Sequence, residues 1–460
     1  MKLLATLLLA VTSTGIYAQQ YDFTRKDNHI VEATTDNANA SGIEWFNIRA
    51  QATYVYQYKP AFKGVLDSAY QLSHNEEDQN TLSATLYAGL RLWKGAEVYA
   101  NPELTSGMGL SNDLGMATPG NGETFHISRP QLTVFLARAY FRQTFALRNK
   151  RARKNGYVNS TQLSSLPNQL AGYEPKDYLR IYAGKLSLTD LFDRNDFANS
   201  PRKQFMNYAF MNNSAWDIAA DTRGYTYNFT TELQLGKMNY KIGVAALPTT
   251  ANGNELDAGF SESLSAVAEV SRRITIKKRP GIIKLLGYYN TATMSTYEDA
   301  ANLVYPSTSI ALTPYAAKYG FGLNMQQELS NTFAAFIRIG WNDGKTQTWS
   351  FTEVDQAASL GLSANGTKWK RPHDNLGIAI AVNALSANHK DYITKGGYGL
   401  NIGGSKQSYT PEMIGELYYS LRPLKSALWF SGSYQLCMNP GYNSDRGPAH
   451  IFSLRVHATL

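Results

Sequence analysis

The sequence predicts an all-β chain closed into a transmembrane antiparallel β-barrel of about sixteen strands, with short periplasmic turns and long external loops. Three observations carry this expectation. First, Phe46, Ile48, Ala50, Ala52, Tyr54, Tyr56 and Tyr58 share one strand face, and Asn47, Arg49, Gln51, Thr53, Val55 and Gln57 share the other. Second, beyond the N-terminal leader no stretch approaches the ~18 apolar residues that a membrane-crossing helix needs. Third, short turns alternate with long polar connections along the chain.

The strand from Phe46 to Tyr58 sets the scale. At roughly 3.3 Å per residue it spans about 43 Å, or near 30 Å when tilted by about 45°, which crosses the apolar band of a bilayer. Slipping its register by one residue places Arg49 in lipid, at about 2–4 kcal/mol near mid-depth. Tyr54, Tyr56 and Tyr58 end the apolar face, as an interfacial aromatic girdle does.

The same alternation recurs. Leu82, Ala84, Leu86, Ala88, Leu90 and Leu92 oppose Ser83, Thr85, Tyr87, Gly89, Arg91 and Trp93. The Lys94-Gly95 turn then reverses the chain into 96–104, where Glu97, Tyr99, Asn101 and Glu103 share the polar face. Further strands are expected near 133–147, 178–186, 225–235, 238–247, 263–274, 282–292, 317–329, 333–342, 358–363, 375–386, 412–421, 427–438 and 449–460. The alternation at 358–363 is the shortest. Turns at Lys94-Gly95, Gly236-Lys237 and Ser330–Thr332 alternate with loops near 59–79, 105–132, 186–224, 293–316 and 387–411. The run Arg148, Lys150, Arg151, Arg153 and Lys154 opens a long connection on the short-turn side and reads as a solvated turn.

Compartment and domain organisation follow from the start of the chain. Lys2, the apolar run Leu3–Val11 and the small-residue end at Ala18 read as a signal peptide over residues 1–18. Residues 19–41 form a polar periplasmic lead, and 42–460 a single barrel domain. The one cysteine, Cys437, forbids an intrachain disulfide, which suits export to the outer membrane of a Gram-negative bacterium. With 30 Tyr, 36 Gly and a mean hydropathy of −0.34, the chain is too polar for a helical membrane protein. Its length suits a barrel whose interior is water rather than core. The net charge of +8 becomes +7 when Lys2 leaves with the leader. In an exported chain this points to a pore lining or a lipopolysaccharide contact, and no nucleic acid is expected as a partner.

No catalytic signature, cofactor site or metal site is expected, so the chain does not read as an enzyme. Gly259-Phe260-Ser261-Glu262-Ser263 lacks the second glycine of a nucleophile elbow. Asp190, Asp193, Asn195 and Asp196 crowd one loop without the spacing or glycine turn of a calcium loop. What clusters is charge on inward faces: Arg49, Arg91, Arg138, Arg142, Arg180 and Arg338 against Glu97, Glu103, Glu232, Glu269, Glu328, Glu412 and Glu416. A narrow lumen bearing Arg donors and Glu acceptors replaces part of a neutral sugar's hydration, while aromatic rings such as Tyr99 stack on its apolar faces. The competing account is that these charges form internal ion pairs that stiffen the wall.

At this point the chain resembles a family. Asn101-Pro102-Glu103, Gly107, Gly109-Leu110-Ser111, Asn121-Gly122-Glu123 and Arg142-Gln143-Thr144-Phe145 are similar to motifs of the carbohydrate-selective porins of the OprB type. The match continues through Gly184-Lys185, Asp190-Leu191-Phe192-Asp193, Ala219-Ala220-Asp221 and Gly224-Tyr225-Thr226-Tyr227. Gly340-Trp341-Asn342-Asp343-Gly344, Trp369 with Arg371-Pro372, Asn383 with Ser386 and His389, Tyr418-Tyr419 and Asn439-Pro440-Gly441-Tyr442-Asn443 complete it. Departures are Lys370 and Ala384, where glycine is expected, and Leu460 in place of a terminal aromatic.

The resemblance implies an outer-membrane porin passing monosaccharides by passive diffusion; a general or anion-preferring porin is the alternative. The residues expected along the substrate path are Arg49, Arg91, Arg138, Arg142, Glu97, Glu103, Tyr99, Asp190, Asp193 and Glu416. The loop after Gly184-Lys185 is expected to fold inward and narrow the barrel. Expected partners are small sugars, outer-membrane lipid and lipopolysaccharide and the barrel-assembly machinery, with a homo-oligomer left open.

Overall fold

Alternation becomes pairing around a closed ring. The computed structural model describes residues 43–64, 70–124, 130–147, 160–257, 259–260, 263–403, 408–423 and 427–460. The leader, the polar lead and the basic run Arg148–Lys154 fall outside them. The chain opens with β1 (Phe46–Lys59), β2 (Glu77–Trp93), β3 (Ala96–Gly107) and β4 (Thr133–Ala146), then a small hairpin of β5 (Ser160–Leu163) and β6 (Gly172–Pro175). It continues with β7 (Tyr178–Leu186), β8 (Thr226–Leu235), β9 (Met238–Ala246), β10 (Leu264–Ile276), β11 (Arg279–Ser295) and β12 (Leu312–Glu328). The last strands are β13 (Phe333–Asn342), β14 (Gln356–Gly366), β15 (Arg371–Ala384), β16 (Glu412–Leu421), β17 (Leu428–Met438) and β18 (Ala449–Thr459).

All but β5 and β6 join one barrel, each strand antiparallel to its neighbours, which makes sixteen. The ring closes where β1 pairs with β18, Ala52 opposite Ala458, and Leu460 donates its N–H to the Ala50 carbonyl at 2.8 Å. The two faces sort as the sequence predicts. On β1, Gln51 and Thr53 are 6% and 1% exposed, whereas Phe46 and Ile48 are each 54% exposed on the lipid side. Outward aromatic residues mark both rims: Phe46, Trp93 and Phe145 at the short-turn end, Tyr54, Tyr56 and Tyr58 at the other. Trp93, expected on the inward face with Arg91, is turned outward by the β2–β3 register shift between the two.

Two local features need separate causes. Between Asn101 and Pro102 the β3–β4 register shifts, leaving Ala137 as the extra residue of β4. Proline donates no ladder hydrogen bond, so the bulge sits where the ladder is already interrupted. The bulge also changes the phase of β4, so Arg138 shares the inward level of Asn101. Lys370 holds φ of 61°, which is why glycine suits that turn better than a side chain bearing Cβ. The weakest expected strand, near 358–363, extends to eleven residues as β14. Its inward positions Ala357, Ser359, Gly361 and Ser363 are all small, and a Cβ on Gly361 would come within 2.3 Å of the Phe336 ring. Alternation was faint there because bulk is supplied by the neighbouring strand.

The interior differs from a plain water channel. Long loops at the rim opposite the short turns fold inward and build apolar clusters against the wall. One joins Phe197, Phe205 and Phe210 of the β7–β8 loop to Phe336, Ile414, Tyr418 and Ile451. Another joins Leu188, Phe192 and Trp216 to Val267, Leu286 and Tyr288. The expectation of an interior made of water is therefore corrected. The β7–β8 loop carries too many large apolar residues to lie in solvent, and the wide barrel gives it a place to bury them.

Candidate functional site

The β7–β8 loop, residues 187–225, is tied to the barrel wall all round its circumference. Arg138 on β4 grips Asp190 with two parallel bonds, Nε to Oδ2 at 2.7 Å and Nη2 to Oδ1 at 2.8 Å. Asp193 meets Arg338 of β13 at 3.1 Å and accepts from Asn324 Nδ2 of β12 at 2.7 Å. The Asp193 N–H donates to Glu269 of β10 at 2.7 Å. Glu416 of β16 accepts the N–H groups of Met206 at 2.7 Å and Asn207 at 2.9 Å. Arg202 reaches Glu123 at 2.8 Å, Glu103 at 3.4 Å and the Tyr87 hydroxyl at 3.2 Å. Arg455 of β18 donates to the carbonyls of Pro201 and Gln204.

Glycine permits one of these attachments. A Cβ on Gly322 or Gly340 would lie about 2 Å from the Asn213 side chain, whose Nδ2 donates to the Ile339 carbonyl at 3.3 Å. Phe205 sits edge-on to Tyr418, with centroids 4.8 Å apart, over Gly377. The β3–β4 loop adds a second layer: Glu412 accepts the Ala117 N–H at 3.0 Å, and Gly122 donates to the Met206 carbonyl at 2.7 Å.

The wall of β2, β3, β4 and β7 carries the remaining expected residues. Glu97 accepts from Arg91 at 3.0 Å and from Arg142, and it also takes the Tyr99 hydroxyl at 2.7 Å. Arg142 lies 5.0 Å above the Tyr99 ring, which stacks on Tyr140 at 5.1 Å. Glu103 accepts from Thr85 at 2.7 Å and from Tyr225 at 3.2 Å. On the next strands the row continues as Arg180, Glu232, Lys241 and Glu269, each the cross-strand partner of the one before. Arg49 is the exception. Among the described residues it makes no ion pair, and its Nε is buried without a hydrogen-bond partner.

The ten expected path residues thus fall into three groups. Arg91, Glu97, Tyr99 and Arg142 form one network; Arg138, Asp190, Asp193, Glu103 and Glu416 hold the inserted loops; Arg49 stands apart. Sequence reasoning missed Arg202, Phe205, Asn213 and Asp217, the last of which accepts the N–H groups of Trp349 and Ser350 at 2.9 Å each and meets Lys318 of β12 at 3.5 Å. For Phe205 and Asn213 the signal was the loop's apolar and amide content; for Arg202 and Asp217 no motif marked them. The four residues of the acidic loop diverge to different wall partners: Asp190 to Arg138, Asp193 to Arg338, Asn195 to Asn324 at 2.8 Å and Asp196 to Gln326.

Two carboxyls of the loop titrate apart. Burial raises that of Asp193, and Arg338 offsets this in part. Burial also acts on Asp190, but the Arg138 fork overcomes it and holds the carboxyl below the usual range. Asp193 has a folded value above its unfolded one, so its ionised form weighs against stability, and that penalty fades as pH falls through the raised value. Asp190 is the reverse: its contribution is present above the unfolded value and lost as pH falls through the depressed one. On acidification the Asp193–Arg338 pair is therefore expected to loosen first. Channel current noise should rise at a pH where heat-resistant gel mobility is still intact; the two changing together would contradict this order.

A closed barrel with a lipid-facing apolar belt, two aromatic rims and loops folded into its lumen defines an outer-membrane channel. Within that class the chain belongs to the carbohydrate-selective porin, OprB family, whose model matches residues 71–460. The protein accordingly resides in the outer membrane of a Gram-negative bacterium and is a channel rather than an enzyme. No curated protein matches the sequence significantly. The high-pH structure of Pseudomonas putida OprB is 18% identical, with a TM-score of 0.66 over 90% of this chain and 94% of that one. The low-pH structure of Pseudomonas putida OprB is 12% identical, with a TM-score of 0.49 over 90% and 93%. The outer-membrane channel DcaP of Acinetobacter baumannii is 7% identical, with a TM-score of 0.46 over 90% and 97%.

Proposed function

We propose that the protein passes small neutral carbohydrates, monosaccharides in the first place, by passive diffusion through the lumen left beside the inserted loops. The observation that carries this is charge pairing. Arg91, Arg138, Arg142, Arg180, Arg202 and Arg338 each face a carboxylate within ion-pair distance. Such a wall is rich in donors and acceptors yet carries little net field, which suits an uncharged solute with many hydroxyls. Contacts must stay weak enough for release, so no deep binding pocket is required.

The anion-preferring alternative rests on Arg49 and Arg455, which make no ion pair among the described residues, together with the formal charge of +8. Liposome swelling separates the two readings. Glucose is expected to enter faster than a sugar acid of similar size; faster entry of the sugar acid would establish the alternative.

Pairing also divides the arginines by function. Arg49→Ala is expected to weaken sugar-dependent current block several-fold, on the order of 1 kcal/mol, while leaving heat stability unchanged. Arg142→Ala leaves Glu97 with Arg91 as its remaining cationic partner and is expected to lower stability as well. Equal heat stability of the two variants would show that the Arg142 pair contributes nothing to the wall.

A further inference from the structure

The connection between β4 and β7 leaves the rim that carries the short turns, the periplasmic rim of an outer-membrane barrel. Its described part does not stay outside. Residues 160–175 form the β5–β6 hairpin, whose tip closes through Leu166 and Gln169: each donates its N–H to the other's carbonyl, at 2.9 and 3.0 Å. Between them stand Pro167 and Asn168. Proline presets the first central position of such a turn, and asparagine tolerates the positive φ of 58° that Asn168 adopts at the second.

The tip is held deep in the wall. Asn168 Oδ1 accepts from Asn101 Nδ2 at 2.9 Å, and Asn101 is fully buried. Asn101 lies five residues into β3, about 17 Å along the strand from its periplasmic end. Lower down, Asn47 Nδ2 donates to Ser165 Oγ at 3.1 Å and to the Gln169 carbonyl at 3.0 Å. Glu44 exchanges backbone and carboxylate bonds with Ala171, and Arg91 donates to the Ala171 carbonyl at 3.2 Å. Leu170 is fully buried.

This hairpin meets the wall at the level of the outer loop. Asn101 is the cross-strand partner of Arg138, the residue that grips Asp190. The two insertions therefore enter from opposite mouths and attach to adjacent strands at one height. Among the described residues, three buried polar atoms on β1, β2 and β3 lack a hydrogen-bond partner: Arg49 Nε, Arg91 Nε and Asn101 Oδ1. Two are donors and one an acceptor. Buried groups of this kind are normally satisfied by something polar, and a passing hydroxyl both donates and accepts.

We propose that residues 160–175 form a second constriction in series with the outer loop, and that a permeating sugar is read there by Arg49 and Arg91 beneath the Asn168 tip. This deepens the carbohydrate reading above and rests on it. The outer loop then screens solutes entering from the medium, and the hairpin sets their release to the periplasm.

The test is single-channel recording of the full chain with glucose as probe. A Glu44→Ala, Asn47→Ala variant removes tethers of the hairpin while sparing Arg49, Arg91 and Asn101. It is expected to raise open-channel conductance about two-fold and weaken glucose block several-fold. Unchanged conductance in a variant of wild-type heat resistance overturns the constriction; raised conductance with unchanged glucose block overturns the sugar contact. Absence of glucose block in the unaltered protein would instead refute the carbohydrate reading, whatever the variant does to conductance. Should the variant not fold, Asn101→Cys with Asn168→Cys, in a Cys437→Ser background, gives an independent measure. A short bifunctional thiol reagent is expected to bridge the pair in intact outer membranes, and failure to bridge two labelled thiols would overturn the placement.

Discussion

Replacing Asp193 by alanine is expected to release the inserted loop and lower stability by about 3–5 kcal/mol, because it leaves the buried Arg338 guanidinium without its carboxylate. Asp193 does more than pair with Arg338. It accepts the Asn213 N–H at 2.6 Å and the Asn324 amide at 2.7 Å, so one carboxylate joins two parts of the loop to β12 and β13. Heat-resistant mobility should fall and open-channel conductance should rise. The paired variant Asp193→Ala, Arg338→Ala should recover part of the stability, since no lone charge then remains buried. If the double variant is no more stable than the single one, the loss comes from the loop contacts and not from the stranded arginine.

Phe205→Ala is expected to have an effect of similar size through a different term. The ring packs against Phe210, Phe336 and Tyr418 at centroid distances of 5.3, 5.7 and 4.8 Å and is 1% exposed. Truncating a buried phenylalanine costs about 3–5 kcal/mol in lost transfer energy and residual cavity. Here the loss falls on the loop and its seat against β13, β15 and β16. Conductance and its fluctuation should therefore change more than barrel melting does. Phe205→Leu should retain most of the anchoring, as volume is better conserved. Equal conductance in the alanine variant and the unaltered protein would show that Phe205 does not hold the loop.

The barrel was legible because lipid on one side of each strand enforces a period of two, and all sixteen strands left that trace. Position on a face was legible too: Glu416 and Arg338 face inward as their alternation implies. Their roles were not, because Glu416 holds backbone N–H groups 210 and 209 residues away in the chain. Polar wall residues of one type thus divide into loop anchors and candidate sugar contacts, and spacing does not distinguish them. The loop after Lys185 could be expected to fold inward from the width of the barrel. The β5–β6 hairpin could not: Leu163, Leu166 and Leu170 are scattered among polar residues, and much of its hold on Asn47 and Arg91 runs through its own carbonyl groups. Arg142 shows the limit from the other side. Its inward position was correct, while its engagement with Glu97 and Tyr99 makes it part of the wall's framework.

The most direct measurement is planar-bilayer conductance with glucose titrated in, for the unaltered protein and for one in which residues 191–215 are shortened. The account predicts a saturable fall in current with glucose for the unaltered channel, and a higher conductance with weaker glucose block once the loop is cut. A channel whose current is indifferent to glucose, and whose conductance stays the same when that loop is shortened in a folded barrel, would contradict it.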